Sequence, residues 1–143
     1  MQKKCVFCGF QDREMIVYED EQVFAVISKE PINPYHMMVF PQSHYESFID
    51  LPDDLAAHLF VIAKRLSATL REVCHPDAIT HISDDDITHS GFNLVAHYKL
   101  HLIPRYKGDK VEINWHRDDD PGDEVRAAYA RAVREKLQNG MKP

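Results

Sequence analysis

The sequence predicts an α+β domain with a mainly antiparallel sheet, one long helix and a C-terminal helix. Two observations support this. Short apolar runs succeed one another, mostly without crossover helices between them, and two longer stretches carry apolar residues at three- and four-residue spacing. The chain of 143 residues, 44% of them hydrophobic, is long enough to bury the core of one such domain.

Each strand is predicted from a short apolar run bounded by polar residues or prolines. Residues 15–18 and 23–27 flank a polar stretch and predict a β-hairpin. Residues 37–40 predict a third strand, residues 78–82 a fourth, and residues 93–103 a long fifth strand. Because most of these strands follow one another directly, antiparallel pairing is favoured over a parallel sheet.

Two helices are predicted from apolar residues that recur on one face. The stripe of the first consists of Leu55, Leu59, Ile62, Leu66, Leu70 and Val73. Asp50 is the predicted cap of this helix, and Pro76 ends it. The stripe of the second consists of Val125, Ala128, Tyr129, Ala132, Val133 and Leu137. This helix has Asp120 and Pro121 at its start and Gly140 after its end.

The composition argues against several classes of partner. A net charge of −6 disfavours non-specific binding to nucleic acids, because their phosphates attract basic proteins. No apolar run is long enough to cross a membrane, and no secretory signal pattern is present. We therefore expect a cytoplasmic protein that binds neither nucleic acid nor membrane.

Cys5 and Cys8 form a Cys-x-x-Cys pair, and Cys74 is the third cysteine. In a reducing compartment this spacing favours a metal site or a redox pair over a disulfide scaffold, and two unpaired thiols are a third alternative. A redox pair usually opens a helix after a strand, and nothing before Cys5 can form that strand. Zinc prefers thiolate and imidazole, so two more ligands have to come from elsewhere. Cys74, late in the first helix, is interpreted as a small buried residue.

The run 97–105 is the most informative segment of the chain. On a strand every second side chain faces the same way, so His97, Lys99 and His101 are predicted to share one face. The side chains between them are apolar or aromatic and face the other way. Three ionisable side chains in a row are poor material for a core, so this face is predicted to carry the function.

This run resembles the signature of the histidine-triad (HIT) nucleotide hydrolases and transferases, His-x-His-x-His-x-x-Pro-Arg. Residues 17–20 and 37–41, with His44 after them, match the family in the same order. The resemblance implies the HIT fold, a homodimer in which two sheets join into one, and a purine nucleotide or related phosphate ligand at each subunit. It implies a HIT domain at residues 1–107, zinc-binding N-terminus included, and a C-terminal extension with the terminal helix at residues 108–143, in the same compact unit.

The resemblance also implies a structural zinc ion. Some bacterial HIT proteins bind zinc through an N-terminal Cys-x-x-Cys pair, a histidine after the third strand and the first histidine of the triad. The matching positions here are Cys5, Cys8, His44 and His97. A closed set of four thiolate and imidazole ligands suits a structural rather than a catalytic ion.

One position departs from the signature: the middle histidine, which is the family's nucleophile, is Lys99 here. Imidazole suits attack on phosphorus because it is largely neutral near pH 7 and its bond to phosphorus is labile. Lysine, with an ordinary pKa of about 10.4, is a cation that is better suited to holding a phosphate than to attacking it. Histidine-dependent hydrolysis is therefore not expected, although a Lys99 with a depressed pKa could accept a nucleotidyl group.

Several further positions are assigned by their match to the family. His101 is the third triad histidine and is predicted to contact phosphate. Asn93 lies near the family's usual glutamine, and Ser28 takes the place of the aspartate that holds the ribose hydroxyls. His36 is expected to be structural. The acidic loop 84–86 either repels a polyphosphate, which favours a less anionic ligand, or is a solvated charge run without a role.

Two functions compete at this point, and a pure interaction scaffold that binds no nucleotide is a third alternative. The first is a HIT-type hydrolase or transferase of nucleotidyl phosphate or phosphoramidate bonds, with Lys99 and His101 as catalytic residues. In that site Asn93 and Ser28 bind the substrate together with them. The second is a catalytically silent, zinc-stabilised dimer that binds a nucleotide or another anion. Turnover of a nucleotide donor, or a mass increase on Lys99, distinguishes the two.

Overall fold

The computed structural model describes residues 5–85, 93–115 and 117–140. The chain divides into two compact units, with the boundary in the sequence between Val111 and Glu112. In chain order the elements of the first unit are β1 (Ile16–Glu19), β2 (Val23–Ile27), β3 (Met37–Pro41), α1 (Asp53–Cys74), β4 (Ala78–Ile82) and β5 (Leu100–Arg105). The second unit contains α2 (Asp123–Gly140). Within the described ranges, no helix combines the length and apolar content that crossing a bilayer requires.

The strands form one antiparallel sheet in the order β1-β2-β3-β5-β4. β1 and β2 are the predicted hairpin, and β4 lies at the edge of the sheet. The chain passes from β3 to β4 through α1 and then returns as β5 between them. This arrangement confirms the predicted α+β class with a mainly antiparallel sheet.

The two faces of the sheet pack against different parts of the chain. One face packs on α1, in a cluster that includes Val39, Leu59, Ile62, Leu100 and Leu102. The other face packs on the N-terminal segment, in a cluster of Phe7, Phe24, Val26 and Phe40. Because Leu100 and Leu102 face α1, strand alternation directs Lys99 and His101 to the opposite face. The N-terminal cysteines and the ionisable side chains thus share one side of the sheet.

The start of α1 differs from the prediction. Asp50 does not cap this helix; it lies in a separate single turn of 3-10 helix, Phe48–Asp50, and Pro52 precedes α1 without a side-chain cap. The short turn has its own cap, because Ser47 Oγ accepts a hydrogen bond from Ile49 N–H at 3.2 Å. Pro52 has an extended ψ of 143°, which ends the short turn before α1 can begin.

The fifth strand is shorter than the predicted span 93–103. It begins at Leu100 and continues to Arg105, so His97 and Lys99 precede it. The cause is local: His97 N–H donates to the Val95 carbonyl at 2.8 Å, which turns the backbone instead of extending it. The ionisable side chains therefore belong to a folded segment that leads into the strand.

The second unit contains the predicted C-terminal helix. The Asp120 carboxylate accepts a hydrogen bond from Gly122 N–H at 2.8 Å, and α2 begins directly after this turn. Gly122 has a φ of +93°, a conformation that glycine adopts without a steric penalty. The long apolar side chains of the predicted stripe are exposed: Val125, Tyr129, Val133 and Leu137.

The partly buried carboxylate of Asp20 connects the β1–β2 hairpin to α1. Asp20 Oδ2 lies 2.7 Å from Tyr18 Oη and 2.6 Å from His58 Nε2, and its Oδ1 accepts hydrogen bonds from the N–H groups of Gln22 and Val23 at 2.8 Å each. Burial raises the pKa of Asp20, but these hydrogen bonds outweigh it and lower the pKa to about 2. The ionised carboxylate therefore stabilises the fold.

We expect Asp20→Asn to lower the free energy of unfolding by about 1–2 kcal/mol at pH 7, after allowance for solvent screening. Because the folded pKa lies below the unfolded value, the stabilisation is present above about pH 4 and is lost as the pH falls toward 2. Urea unfolding at pH 7 and near pH 2.5 measures it, with Glu21→Gln as the matched control in the same turn. A difference between wild type and variant that is equal at both pH values contradicts the prediction.

Candidate functional site

The segment from Cys5 to Gly9 folds as a tight turn that brings two thiols together. Gly9 has a φ of +63°, which lets the chain reverse without a Cβ clash. Burial raises the pKa of the Cys5 thiol, but hydrogen bonds from the N–H groups of Phe7 and Cys8 outweigh it and the net shift is downward. Burial and the neighbouring Cys5 raise the pKa of Cys8. The turn therefore favours Cys5 as a thiolate.

The predicted zinc ligands Cys5, Cys8, His44 and His97 converge, and their ligand atoms all lie within 4.8 Å of one another. Nδ1 of His97 lies 3.4 Å from Sγ of Cys5 and 3.7 Å from Sγ of Cys8, and Nδ1 of His44 lies 3.4 Å from Sγ of Cys8. In a tetrahedral zinc site, sulfur and nitrogen ligand atoms are about 3.6 Å apart. The donor set and its spacing thus fit a zinc ion.

Both histidines of this cluster are oriented by a partner on their other nitrogen. His97 Nε2 lies 2.8 Å from the Pro41 carbonyl oxygen, which only accepts, so Nε2 carries the proton and Nδ1 keeps its lone pair. His44 Nε2 faces Glu46 Oε1 at 3.5 Å. Burial lowers the pKa of His97 to about 4, which keeps its ring neutral at pH 7. Such partners orient the imidazole ligands of metal sites.

Lys99 is only 5% exposed, and its ammonium contacts three acceptors. Nζ lies 2.6 Å from Asn93 Oδ1, 3.0 Å from the Val95 carbonyl and 2.8 Å from the His97 carbonyl. An ammonium has three N–H donors, so these contacts use all of them. The segment 93–99 is thereby closed around the Lys99 side chain.

Lys99 remains mostly charged at pH 7, although its burial disfavours the ammonium. Burial lowers the pKa of Lys99 to about 8, and the charge of Cys5 acts in the opposite direction. The ammonium still predominates at pH 7, and three facing oxygens suit a nitrogen with three protons. Nζ also lies 4.8 Å from the centroid of the Phe7 ring, within range of a cation–π interaction. A nucleophile needs a lone pair directed at its substrate, whereas here N–H bonds are directed at oxygens of the protein.

A hydrogen-bond chain runs from the main chain of Ile32 through His36 to His101. Ile32 N–H donates to His36 Nδ1 at 3.0 Å, so the proton of a neutral His36 is on Nε2. That Nε2 lies 2.8 Å from His101 Nδ1 and donates to it, which places the proton of His101 on its own Nε2. Burial lowers the pKa of His36, and burial together with His36 and Lys99 lowers the pKa of His101 to about 4. His101 is therefore a neutral ring whose Nε2 is a donor.

The remaining predicted positions are engaged within the protein. Asn93 accepts from Lys99 through Oδ1 and donates through Nδ2 to the Asp84 carbonyl at 3.4 Å. Ser28 follows β2, and its N–H donates to the His36 carbonyl at 2.8 Å. Asp85 accepts hydrogen bonds from Ser47 Oγ and from the N–H of residue 48, so this carboxylate stabilises the turn before α1. Residue 86 of the acidic loop lies outside the described residues.

Arg105, at the end of the signature, has a structural set of partners. Its guanidinium makes a paired interaction with Asp109 at 2.7 and 3.0 Å and also donates to Thr80 Oγ1 and to the Val111 carbonyl. Asn33 Nδ2 donates to the same Asp109 carboxylate at 3.0 Å and to the Pro104 carbonyl at 2.9 Å. This network holds the end of β5 to the loop that carries His36.

The sequence model of the HIT domain matches residues 10–108, which is more than half of the chain. The chain belongs to the HIT family. An uncharacterized HIT-like protein of Saccharolobus solfataricus is 30% identical to this HIT protein over 108 residues, which are 73% of this chain and 76% of the relative. Lys99 therefore lies within the part of the chain that matches the HIT domain.

Two solved structures resemble this HIT protein along nearly its whole length. A zinc-bound histidine triad family protein from Mycobacterium smegmatis has a TM-score of 0.67 and 27% identity, and the match covers 96% of this chain and 97% of that one. A hypothetical histidine triad nucleotide-binding protein from Sulfolobus tokodaii has a TM-score of 0.66 and 26% identity, with 94% and 93% covered. The fold of this HIT protein is thus that of its family.

Three features of the site were not predicted from the sequence. Phe7 contacts Lys99, Glu46 lies behind His44, and His36 orients His101. Of the three, only the contact of Phe7 has a signal in the sequence, because a side chain between Cys5 and Cys8 has to lie close to the cluster. The contacts of Glu46 with His44 and of His36 with His101 depend on how the loops fold, which the sequence does not show.

Proposed function

We propose that this chain is a zinc-containing HIT protein that binds a purine nucleotide without forming a nucleotidyl-enzyme. The observation that carries the proposal is the state of Lys99 at the nucleophile position. Its ammonium donates to three oxygens of the protein, and a neutral amine would direct its lone pair at one of those oxygens. Lys99 thus fixes the segment 93–99 that borders the site, and it does not attack phosphorus.

His101 is the proposed contact to phosphate. Its Nε2 is a hydrogen-bond donor, which is the polarity that an ionised phosphate oxygen requires. The side chain lies on the same face of the sheet as Lys99, so the positive charge of the ammonium acts on the same ligand at short range. Ser28, at the end of β2, is the proposed ribose contact. The assignment of a nucleotide ligand is supported by the similar structure from Sulfolobus tokodaii, which is that of a hypothetical histidine triad nucleotide-binding protein.

The proposed zinc ion is structural. Cys5, Cys8, His44 and His97 form a closed set of four ligands with no open position for a substrate. When bound, zinc would supply a cross-link between the N-terminal turn, the residues after β3 and the segment before β5. The description of the Mycobacterium smegmatis relative as zinc-bound supports this assignment.

Binding of AMP and hydrolysis of an adenosine phosphoramidate test the proposal together. We expect calorimetry to detect AMP binding to the native protein, and we expect no phosphoramidate turnover above background. Lys99→His, which introduces an imidazole nucleophile, is expected to gain turnover. Lys136→Ala, at an exposed lysine on α2, serves as the control. Native turnover that disappears in Lys99→Ala would instead make Lys99 the nucleophile. Absence of AMP binding would refute the proposal that the ligand is a purine nucleotide.

We further propose a homodimer formed through the edge of the sheet beside α1. Strand β4 is at that edge, and an exposed strand is a template for pairing with a second chain. Next to it is a groove of about 510 Å³ whose lining includes Phe60, Ala68, Ile79 and Leu100, with Lys64 at its side. Both features suit an isologous contact between two copies.

Sedimentation velocity is expected to give twice the chain mass of 16.6 kDa for the native protein. Ala68→Lys places a further cation in a groove that already contains Lys64 and Arg71, so we expect it to shift the protein toward monomer. Thr69→Lys, the neighbouring exposed position outside the groove lining, is the matched control. A native monomer, or equal dissociation by both variants, contradicts this interface.

A cytoplasmic location is part of the proposal. Cys5, Cys8 and Cys74 are free thiols, and thiols persist in reducing compartments. Fractionation of the source cells tests it, and recovery outside the cytoplasm would contradict it.

A further inference from the structure

Phe7 lies between the two cysteines of the proposed zinc turn and reaches the Lys99 site. Its ring is 9% exposed and packs edge-on against Phe40, with the centroids 4.9 Å apart. The same ring is 5.7 Å from the imidazole of His97 and 4.8 Å from Nζ of Lys99. One side chain of the cysteine turn therefore contacts a proposed metal ligand and the buried ammonium at once.

The contact with Lys99 matters because the ammonium is desolvated. Its three N–H bonds point at oxygens of residues 93, 95 and 97, and the centroid of the Phe7 ring lies 4.8 Å from Nζ. A cation against an aromatic ring is stabilised most strongly where water is excluded. Replacing the ring by an aliphatic side chain of similar bulk keeps the apolar contact with Phe40 and removes this attraction.

The position of Phe7 depends both on its packing against Phe40 and on what holds the cysteine turn. Cys5 and Cys8 are its proposed attachments to His44 and His97, whose ligand atoms lie within 4.8 Å of theirs. Gln11 Nε2 donates to the Gly9 carbonyl at 2.5 Å, but this contact joins the turn only to its own continuation. A metal ion that binds the four ligands would hold the turn, and with it the Phe7 ring, against the sheet.

We propose that Phe7 is a positioning residue. It couples metal binding by the cluster of Cys5, Cys8, His44 and His97 to the Lys99 site. Zinc therefore strengthens nucleotide binding through the Phe7 ring. The inference rests on the proposed zinc ion and the proposed nucleotide ligand. Coupling of two ligands is reciprocal, so AMP must strengthen zinc binding by the same factor. The segment 93–99 is the shared element: it supplies His97 to the cluster and closes around Lys99.

The first measurement is spectroscopic and needs no nucleotide. Protons on Cε of a lysine that faces an aromatic ring are displaced upfield in the NMR spectrum, and loss of the signal in Lys99→Arg assigns it. We expect the displaced signal in the zinc-loaded protein and its return toward the position of exposed lysines after chelation, at a temperature where circular dichroism shows both forms folded. Phe7→Leu should lack the displacement with zinc bound, and Phe7→Tyr should restore it.

Phe10→Leu is the matched control. Phe10 packs on the same aromatic cluster, with its ring 6.3 Å from Phe24 and 6.0 Å from Phe40, and it lies outside the Cys5–Cys8 turn. We expect this variant to keep the zinc-dependent displacement of the Lys99 signal. A displacement that survives chelation in the wild type overturns the inference, because the ring is then placed without the metal.

The second measurement is the affinity for AMP with and without zinc. We expect zinc to tighten AMP binding about fivefold or more in the wild type, Phe7→Tyr and Phe10→Leu, and less than twofold in Phe7→Leu at equal zinc content. An unchanged factor in Phe7→Leu overturns the coupling. If AMP binds to none of the proteins while the Lys99 signal still responds to zinc through Phe7, the nucleotide assignment fails and the positioning of Lys99 by Phe7 is upheld.

Discussion

Removal of the proposed zinc ion is expected to lower the melting temperature of the protein by more than 10 °C. Zinc in a closed site of four thiolate and imidazole ligands contributes directly to folding, and a loss of even about 3 kcal/mol corresponds to more than 10 °C in a domain of this size. The ligands come from three separate parts of the chain, which only the folded state brings within 4.8 Å. Differential scanning calorimetry before and after chelation measures the change.

Cys8→Ser is expected to reproduce the effect of chelation, because it removes a ligand that faces both His44 and His97. Cys74→Ser is the matched control, since this thiol donates to the Leu70 carbonyl within α1 and lies outside the cluster. We expect chelator to have no further effect on Cys8→Ser and its full effect on Cys74→Ser. A purified protein without bound metal, whose melting temperature does not respond to zinc, chelator or Cys8→Ser, refutes the zinc assignment.

Lys99→Met is expected to lower the free energy of unfolding by about 3 kcal/mol in the zinc-loaded protein. Methionine matches the length of the buried stem but leaves three acceptors, the Asn93 side-chain oxygen and the carbonyls of Val95 and His97, without their donor. Each buried acceptor that loses its partner costs about 1–3 kcal/mol, and relief of the buried charge offsets part of the sum. Urea unfolding followed by circular dichroism measures the difference.

The matched control for this change is Lys136→Met, because Lys136 is an exposed lysine on α2 outside the proposed dimer groove. We expect its effect to stay within about 0.5 kcal/mol. A Lys99→Met protein as stable as the wild type would mean that the three hydrogen bonds do no more than compensate the burial of the charge. In that case the segment 93–99 is held by other contacts, and a direct role of Lys99 in ligand binding is favoured.

The convergence of Cys5, Cys8, His44 and His97 was predicted in two steps. The spacing of the two thiols suggests a metal site, and the resemblance to the HIT family implies the two histidines. Most strands could also be predicted, since their apolar runs coincide with the sheet that forms, but the fifth strand begins at Leu100 and not at residue 93. The alternation that directs His101 away from α1 follows from the pattern of the strand alone.

The role of Lys99 could not be predicted, because two of its three acceptors are backbone carbonyls. A sequence shows that a lysine is present, and it does not show which peptide oxygens a turn will place around the ammonium. The same limit applies to Asp85, which appeared as part of an acidic run and instead accepts hydrogen bonds from Ser47 and the N–H of residue 48. Both residues contact partners that are distant in sequence or belong to the main chain.

The Ile32 amide gives the pair of histidines a fixed polarity that no neighbouring acid or base sets. A peptide N–H does not lose its proton near neutral pH, so His36 always accepts at one nitrogen and donates at the other. Nε2 of His101 therefore bears the hydrogen while the rings are neutral. At that atom His101 donates to hydrogen-bond acceptors, such as an oxygen with a lone pair. The tautomer of His101 is thus set by the main chain of a loop, which acts through the ring of His36.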